Sequence, residues 1–279
     1  MGTPMALNLS KRFPVAVWNR SPSKYPSLQA TGCHIAQKPS EVVRHCSITF
    51  MMLFDAPAIQ SIFDEDMRRS LRGRTIVNTS SVPVDFSHYI AAQVHECGGS
   101  FIEMPVSGSR IPAEQGQLIG LMAGEAGVAE YVKPFTEPLT KTTVYCGPIG
   151  AGLQMKYATN TYLTIMTAGL AEAMNLAEAQ GLDIATFGRV LDEGPLASDY
   201  SKIKVAKILK GDWSPQGSVQ DCYNSTQLIK SASQITGTRS PMIERCSELY
   251  KEAVQRGLGK QDMIAVTKIF SKNDSTHLD

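Results

Sequence analysis

"MGTPMALNLSKRFPVAVWNRSPSK", residues 1–24, decides how the rest of the chain is read. A β-rich run stands at Val15–Trp18, and helical spacing from about Pro4 to Lys11 precedes it. A small-residue turn, Met1-Gly2-Thr3, leads into that helix. A dinucleotide fold begins on a central strand that runs into G-x-G-x-x-G, and the helix behind it turns its N-terminus to the pyrophosphate. Here the helix comes first, so Gly2 can be only the last glycine of such a fingerprint. Two readings stand at this point: a chain that opens on a short helix, or a dinucleotide motif seen from its second half.

Outward from that stretch, short β-rich runs alternate with helical patterns. The strands expected are Val15–Trp18, Ser47–Leu53, Thr75–Asn78, Ser100–Glu103, Leu118–Ala123 and Thr142–Tyr145, with helices such as Ala56–Phe63 and Asp85–Cys97 between them. That alternation predicts a parallel sheet covered on both faces. After Gly147 the strands stop. Ala151 to about Gln180 holds no proline and is apolar on most sides, which predicts a buried helix. At about 30 residues it would span roughly 45 Å. Further helices are expected at Ile184–Leu191, Asp199–Leu209, Val219–Thr236, Pro241–Arg256 and Lys260–Phe270. The architecture expected is an α/β domain over residues 1–146 and an all-α domain over 147–279, joined by one long central helix.

Composition narrows the function classes. The chain has 279 residues, 43% of them hydrophobic and 19% charged, with a formal net charge of +1. Such a balance gives no electrostatic footprint for nucleic acid or an acidic membrane. No apolar run reaches about 18 residues, and no basic-then-apolar leader opens the chain. Six cysteines are scattered without a C-x-x-C pair, which reads as reduced thiols in the cytoplasm. Without a Cys/His cluster, no metal site is expected.

Three longer motifs carry a family resemblance: "MGTPMALNL", "PVSGS" followed by Ala113, Gly116 and Leu118, and Gly150, Gly152, Lys156 and Asn160 in "GPIGAGLQMKYATN". Together they resemble the β-hydroxyacid dehydrogenase family, which includes hydroxyisobutyrate dehydrogenases and glyoxylate/succinic semialdehyde reductases. The likeness runs through essentially the whole chain, to "GLGKQDMIAV". It implies a Rossmann-like NAD(P)-binding domain, and it implies that the first strand and two phosphate-turn glycines, about ten residues, stand outside this sequence.

Gly2, Thr3 and Pro4 then fall at the phosphate turn. The end of the second strand of such a fold reads the ribose: an acid there accepts from the 2′-hydroxyl of NAD, while an arginine accommodates a 2′-phosphate. No Asp or Glu occurs between Gly2 and Ser40, and Asn19, Arg20, Ser21 and Lys24 follow the strand. A guanidinium fork suits a phosphate. NADP(H) is therefore the cofactor expected, with NAD(H) second. Leu53 and Ser81 fall at strand C-terminal ends, the ligand edge of an open α/β sheet, and Ser81 matches a family threonine near the nicotinamide. Asn78 stands where the family usually has Asp.

Ser107, Gly108 and Ser109 form a glycine turn whose N–H groups and hydroxyls suit a substrate carboxylate. Glu103 stands where the family has Asp. Lys156 and Asn160 lie four apart, on one face of the greasy helix. As isolated features they read as a snorkelling lysine and a surface amide. The resemblance instead implies that Lys156 is the general acid/base and that Asn160 orients it or the substrate. A second family lysine is absent, and Asn224 and Ser225 stand in its place, with Asn224 the substrate-binding candidate; Lys230 is too far along to substitute.

The function expected is an NADPH-dependent reductase of a small aldehyde or keto acid, assembled as a homodimer or homotetramer. Two alternatives are a non-catalytic member serving as an oligomeric scaffold, suggested by the absent first strand and second lysine, and an imine reductase, against which Lys156 argues.

Overall fold

In the computed structural model, residues 1–270 are described, and they divide into two compact units, one over Met1–Lys156 and one from Tyr157 onward. The first unit holds strands β1 (Ala16–Val17), β2 (His34–Ile35), β3 (Ile48–Met51), β4 (Thr75–Asn78), β5 (Ser100–Glu103), β6 (Val106–Ser107), β7 (Leu118–Gly124) and β8 (Thr140–Gly147). Around them lie helices α1 (Gly2–Ser10), α2 (Tyr25–Gln29), α3 (Pro39–His45), α4 (Ala56–Gln60), α5 (Glu65–Ser70), α6 (Val84–Glu96), α7 (Arg110–Glu114) and α8 (Ala126–Thr136).

The expected parallel sheet is corrected in two ways. First, β3, β4 and β5 are parallel, but β7 runs antiparallel to both β5 and β6, with β8 parallel to β7 on its other side. Only Gly108–Gln117 connects β6 to β7. A parallel crossover takes a dozen residues or more, so this shorter connection brings the strand back antiparallel. Secondly, β1 pairs only with β2, in a separate two-stranded parallel sheet. Between β1 and β3 lies a cavity of about 770 Å³, which α1 and α3 also line.

The core of this unit is built from Val77, Ile102, Met104, Leu118, Met122 and Val132, with Met5 of α1 packed into it. Asn8 anchors α1 further, its Nδ2 donating to the Ala113 carbonyl at 2.8 Å.

Helix α9 (Ala151–Ala179) starts in the first unit and continues into the second, where α10 (Ile184–Glu193), α11 (Asp199–Lys210), α12 (Val219–Thr236) and α13 (Pro241–Gln255) follow. Met263–Ile269 forms a 3₁₀ helix rather than the α-helix expected from Lys260. Two serine capping boxes, at Ser198 and Ser218, start α11 and α12, and left-handed Gly211 and Gly237 end them. Expectation and structure differ for α9: Met155, Tyr162 and Leu176 are exposed, so its apolar surface is only partly covered within one chain. The helical core gathers Ala171, Val219, Tyr250, Ile264 and Val266. Inside it Lys204 Nζ lies 2.6 Å from Asp262 Oδ1, both side chains fully buried. The same carboxylate accepts the N–H groups of Gln216 and Ile264, at 3.0 and 3.1 Å.

Candidate active site

Strand β5 ends on Glu103, and the chain bends through Met104-Pro105 into β6 and the Ser107-Gly108-Ser109 turn. Gly108 is required there. Its φ of +125° is a glycine conformation, and a Cβ would stand 2.8 Å from Leu118 Cδ2. Ser107 and Ser109 are half-buried and Gly108 is exposed. The turn thus has both hydroxyls and open backbone.

Glu103 has no solvent exposure. It accepts from Ser87 Oγ at 2.5 Å, from Leu153 N at 2.9 Å and from Gly150 N at 3.2 Å. Burial pushes its carboxyl pKa up, against the three donors, which favour the carboxylate. Its oxygens meet the first N–H groups of α9, where a negative charge is favoured by the helix dipole. Gly152 makes that approach possible. A Cβ there would overlap the Leu121 carbonyl oxygen and lie 3.0 Å from Glu103 Oε1.

One turn beyond Gly152, Lys156 Nζ donates to the carbonyl oxygen of Val106, immediately before the serine–glycine turn. The expected catalytic lysine and the expected substrate turn are therefore together within the first unit. Burial alone lowers the Lys156 pKa, to about 8, with no charged neighbour contributing. An ammonium with a carbonyl partner and such a pKa exchanges protons near neutral pH.

In the helical unit, Asn160 Nδ2 donates to Ser225 Oγ at 2.9 Å. Asn224 Oδ1 accepts from Gln220 Nε2 at 3.0 Å. Ser225, not Asn224, is thus the partner of Asn160. Asp221 is engaged in the capping box of α12.

The residues expected at a cofactor gather around the cavity beside β1. Gly2, Thr3, Pro4, Asn19, Ser21, Lys24 and Leu53 line it, whereas Arg20 and Ser81 do not. Arg20 is exposed on the loop after β1. That loop is clamped by the Tyr25 hydroxyl, which accepts from Asn19 N at 2.8 Å and donates to the Asn19 carbonyl at 2.6 Å. At the ends of β3 and β4 it is Ser80 that makes the tie, its Oγ accepting from Leu53 N at 2.9 Å. Asn78 is buried, and its Oδ1 accepts from Ser80 N at 3.1 Å. Sequence reasoning passed over Ser80 and the three-way role of Glu103, because neither is a matter of spacing.

These residues fit a dinucleotide. Among the described residues no side chain of the N-cap position bonds into the first turn of α1, an N-terminus suited to a phosphate, and Lys24 lines the same cavity. Among the described residues no group of three or more His, Cys, Asp and Glu could hold a metal ion.

Comparison with known proteins identifies the family and the fold. The family model for the NAD-binding domain of 6-phosphogluconate dehydrogenase matches residues 1–147. That for the NAD-binding region of NADP-dependent 3-hydroxyisobutyrate dehydrogenase matches residues 150–270. The chain is 32% identical to glyoxylate/succinic semialdehyde reductase 1 of Arabidopsis thaliana, over 95% of this chain and 93% of that protein. A 3-hydroxyisobutyrate dehydrogenase structure from Salmonella typhimurium has the same fold, with a TM-score of 0.87 at 20% identity over 95% of each chain. Psf3, solved in complex with NADP+ and 2-OPP, also has a TM-score of 0.87, at 21% identity over 97% of this chain and 96% of that one. With a Rossmann-like NAD(P)-binding unit followed by a helical unit, the chain belongs to the β-hydroxyacid dehydrogenase family.

Proposed function

We propose that this chain is an NADPH-preferring reductase of a small aldehyde or keto acid, of the glyoxylate or succinic semialdehyde type. The observation that carries this reading is Lys156: an amine with a pKa lowered by burial, hydrogen-bonded to Val106 at the edge of the Ser107-Gly108-Ser109 turn. The turn holds the substrate carboxylate through its N–H groups and hydroxyls. Lys156, as ammonium, hydrogen-bonds the carbonyl oxygen and gives it a proton as that carbon is reduced; in the reverse direction the neutral amine takes the hydroxyl proton. A bound nicotinamide supplies or accepts the hydride. Asn160, held by Ser225, orients the reacting groups, and Asn224 contributes to substrate binding. Glu103 fixes the start of α9 and with it the position of Lys156.

Residues 1–146 serve the cofactor in this reading, and 147–279 serve substrate and assembly. Gly2, Thr3 and Pro4 meet the pyrophosphate; Asn19, Arg20, Ser21 and Lys24 meet the 2′-phosphate; Leu53 and Ser81 lie toward the nicotinamide. Exposed Tyr162, Leu176, Val190 and Leu196 support a homo-oligomer formed through the helical unit. Six free cysteines support a cytoplasmic setting. No helix of the described residues is long and apolar enough to cross a membrane.

The test is turnover and binding together. NADPH and NADH are titrated separately, following nicotinamide fluorescence, and glyoxylate and succinic semialdehyde are then offered. Expected are tighter binding of NADPH and reduction of at least one of the two aldehydes. Cofactor binding without turnover of either would overturn the substrate assignment, and preference for NADH would overturn the role of Arg20.

A further inference from the structure

The loop after β1 carries a hydroxyl that no group among the described residues engages. Three serines of the chain are followed by proline: Ser21, Ser214 and Ser240. Ser214 is occupied, its Oγ accepting from Lys207 Nζ at 3.3 Å. Ser240 is half-buried. The threonine that precedes a proline, Thr3, lies inside helix α1. Ser21 differs from all of these. It is exposed, its backbone is extended with φ −107° and ψ 117°, and its side chain makes no capping bond. Pro22 keeps it extended, the conformation in which an enzyme can take up a segment as substrate. Arg20 before it and Pro22 after it are exposed as well.

The chain around that hydroxyl is cationic. The Ser21 carbonyl accepts from Lys24 N at 3.4 Å, a turn that brings Lys24 back beside it, and Arg20 is its immediate neighbour. No Asp or Glu occurs between Gly2 and Ser40, so no acid of this stretch opposes an added anion. Ser21 and Lys24 both line the cavity of about 770 Å³ that fits a dinucleotide. The loop is also held in place. Besides the Tyr25 clamp, Asn19 Nδ2 donates to the Ser21 carbonyl at 2.9 Å. An anion attached to Ser21 would therefore be fixed at the cavity wall, within reach of a guanidinium and an ammonium, the pair of groups that a phosphate binds most strongly.

We infer that Ser21 is a phosphorylation site, and that its phosphate takes the place of the 2′-phosphate of NADPH. The second half rests on the proposed reading in which Arg20 and Lys24 meet that group. The co-reactants of the modification are ATP and a serine kinase. Ser21 Oγ bonds to the γ-phosphorus, the bond from that phosphorus to the β,γ-bridging oxygen breaks, ADP leaves with the electron pair, and the hydroxyl proton passes to the base of the kinase. Phosphoserine carries a charge of about −1.5 to −2 at pH 7. It would occupy the same two cations that the 2′-phosphate needs and repel that phosphate directly. NADH has no 2′-phosphate, so it loses only what longer-range repulsion takes from its pyrophosphate.

Two measurements test the site and the switch. In the first, the full chain is incubated with ATP and a proline-directed serine kinase, and the modified residue is located by mass spectrometry. Expected are phosphate at Ser21, no phosphate at that position in Ser21→Ala, and slower uptake when NADPH is bound, since competition is reciprocal. A short Ser-Pro peptide controls for inhibition of the kinase itself. No uptake, or phosphate at Thr3, Ser214 or Ser240 with none at Ser21, overturns the site. In the second, phosphoserine is installed at position 21 during translation, and NADPH and NADH are titrated by nicotinamide fluorescence. Expected is NADPH binding weaker by about thirtyfold and NADH binding weaker by no more than about threefold. Unchanged NADPH binding, or equal weakening of both cofactors, overturns the switch. Failure of the cofactor reading shows separately, as unmodified protein that binds NADPH no more tightly than NADH; the switch then falls with it, while the site is decided by the mass spectrum.

Discussion

Lys204 sits fully buried in the helical unit with Asp262 at 2.6 Å, whereas Lys156, in the sheet unit, is half-buried with the Val106 carbonyl for a partner and, among the described residues, no counter-ion. Burial lowers both pKa values, but for Lys204 the carboxylate opposes the shift. Asp262 also accepts two backbone N–H groups, so the pair is complete. A buried cation with its full set of partners is part of the core; a half-buried one with a single carbonyl partner, beside an open turn, is available for chemistry. The difference between the two regions is thus one of satisfied and unsatisfied charge.

The sharpest way to break this contrast is Lys156→Met. Loss of an acid/base group costs about 10²–10⁴-fold in turnover, so kcat should fall by about a thousandfold while the protein stays folded. In the intact enzyme, aldehyde reduction needs the ammonium and should fall as pH rises through about 8; hydroxyacid oxidation needs the amine and should rise over the same interval. A reduction rate flat from pH 6.5 to 9.5, measured at saturating substrate, would remove Lys156 from the proton-transfer step.

Lys204→Met tests the other side. It leaves Asp262 buried without its cation, at a cost of about 3–5 kcal/mol, and the double change Lys204→Met, Asp262→Leu should recover much of that. Urea unfolding is the measurement. Lys156→Met should move stability the opposite way. A pKa of about 8 in place of 10.5 corresponds to about 3 kcal/mol of disfavoured charge in the folded state. That penalty is complete below pH 8 and fades between 8 and 10.5, where the unfolded chain still binds the proton that the folded one has released. Removing the charge should therefore stabilise the protein at pH 7, and the gain should shrink toward pH 10. Equal destabilisation by both methionine changes would erase the distinction between the two lysines.

How much of this was legible in the sequence follows the range of each interaction. Lys156 and the Ser107-Gly108-Ser109 turn could be singled out only because each lies in a longer pattern that resembles the family's; by local spacing they read as a snorkelling lysine and a plain turn. Helices α11 and α12 were readable because helical spacing is a local pattern; their capping serines were not singled out. The partner of Asn160 was not, since Ser225 lies 65 residues away, and nothing local distinguishes it from Asn224. Glu103 joins donors 16, 47 and 50 residues distant. The antiparallel β7 was missed because strand patterning gives no direction, and β2 because two residues carry no period. The separation of β1 from β3 was not legible either: it is a property of two edges, not of either strand's composition.

Gly152→Ala probes how rigidly Lys156 is carried. The added methyl overlaps the Leu121 carbonyl oxygen and crowds Glu103 Oε1, so α9 must shift at its first turn. Overpacking of this kind costs about 1–3 kcal/mol. Because Lys156 is one turn away, kcat should fall more than KM changes. An alanine variant with unchanged kcat would separate the Glu103 anchor from the placement of the lysine.

The smallest effect expected is at Arg20, and it concerns specificity rather than chemistry. Arg20 is exposed on the loop that Tyr25 clamps, so removing it leaves no buried group unpaired and should not alter the melting temperature. Its guanidinium would meet a 2′-phosphate in water, where a charge-assisted hydrogen bond gives about 1.5–3 kcal/mol. Solvent and salt reduce that toward the lower end. Arg20→Ala should thus weaken NADPH binding by about tenfold and leave NADH unchanged, and the NADPH loss should diminish as salt is raised. Lys24, which faces the same cavity, would retain part of the preference. Equal weakening of both cofactors would instead place Arg20 in holding the loop, and the discrimination would then lie with Lys24 and the backbone around Asn19.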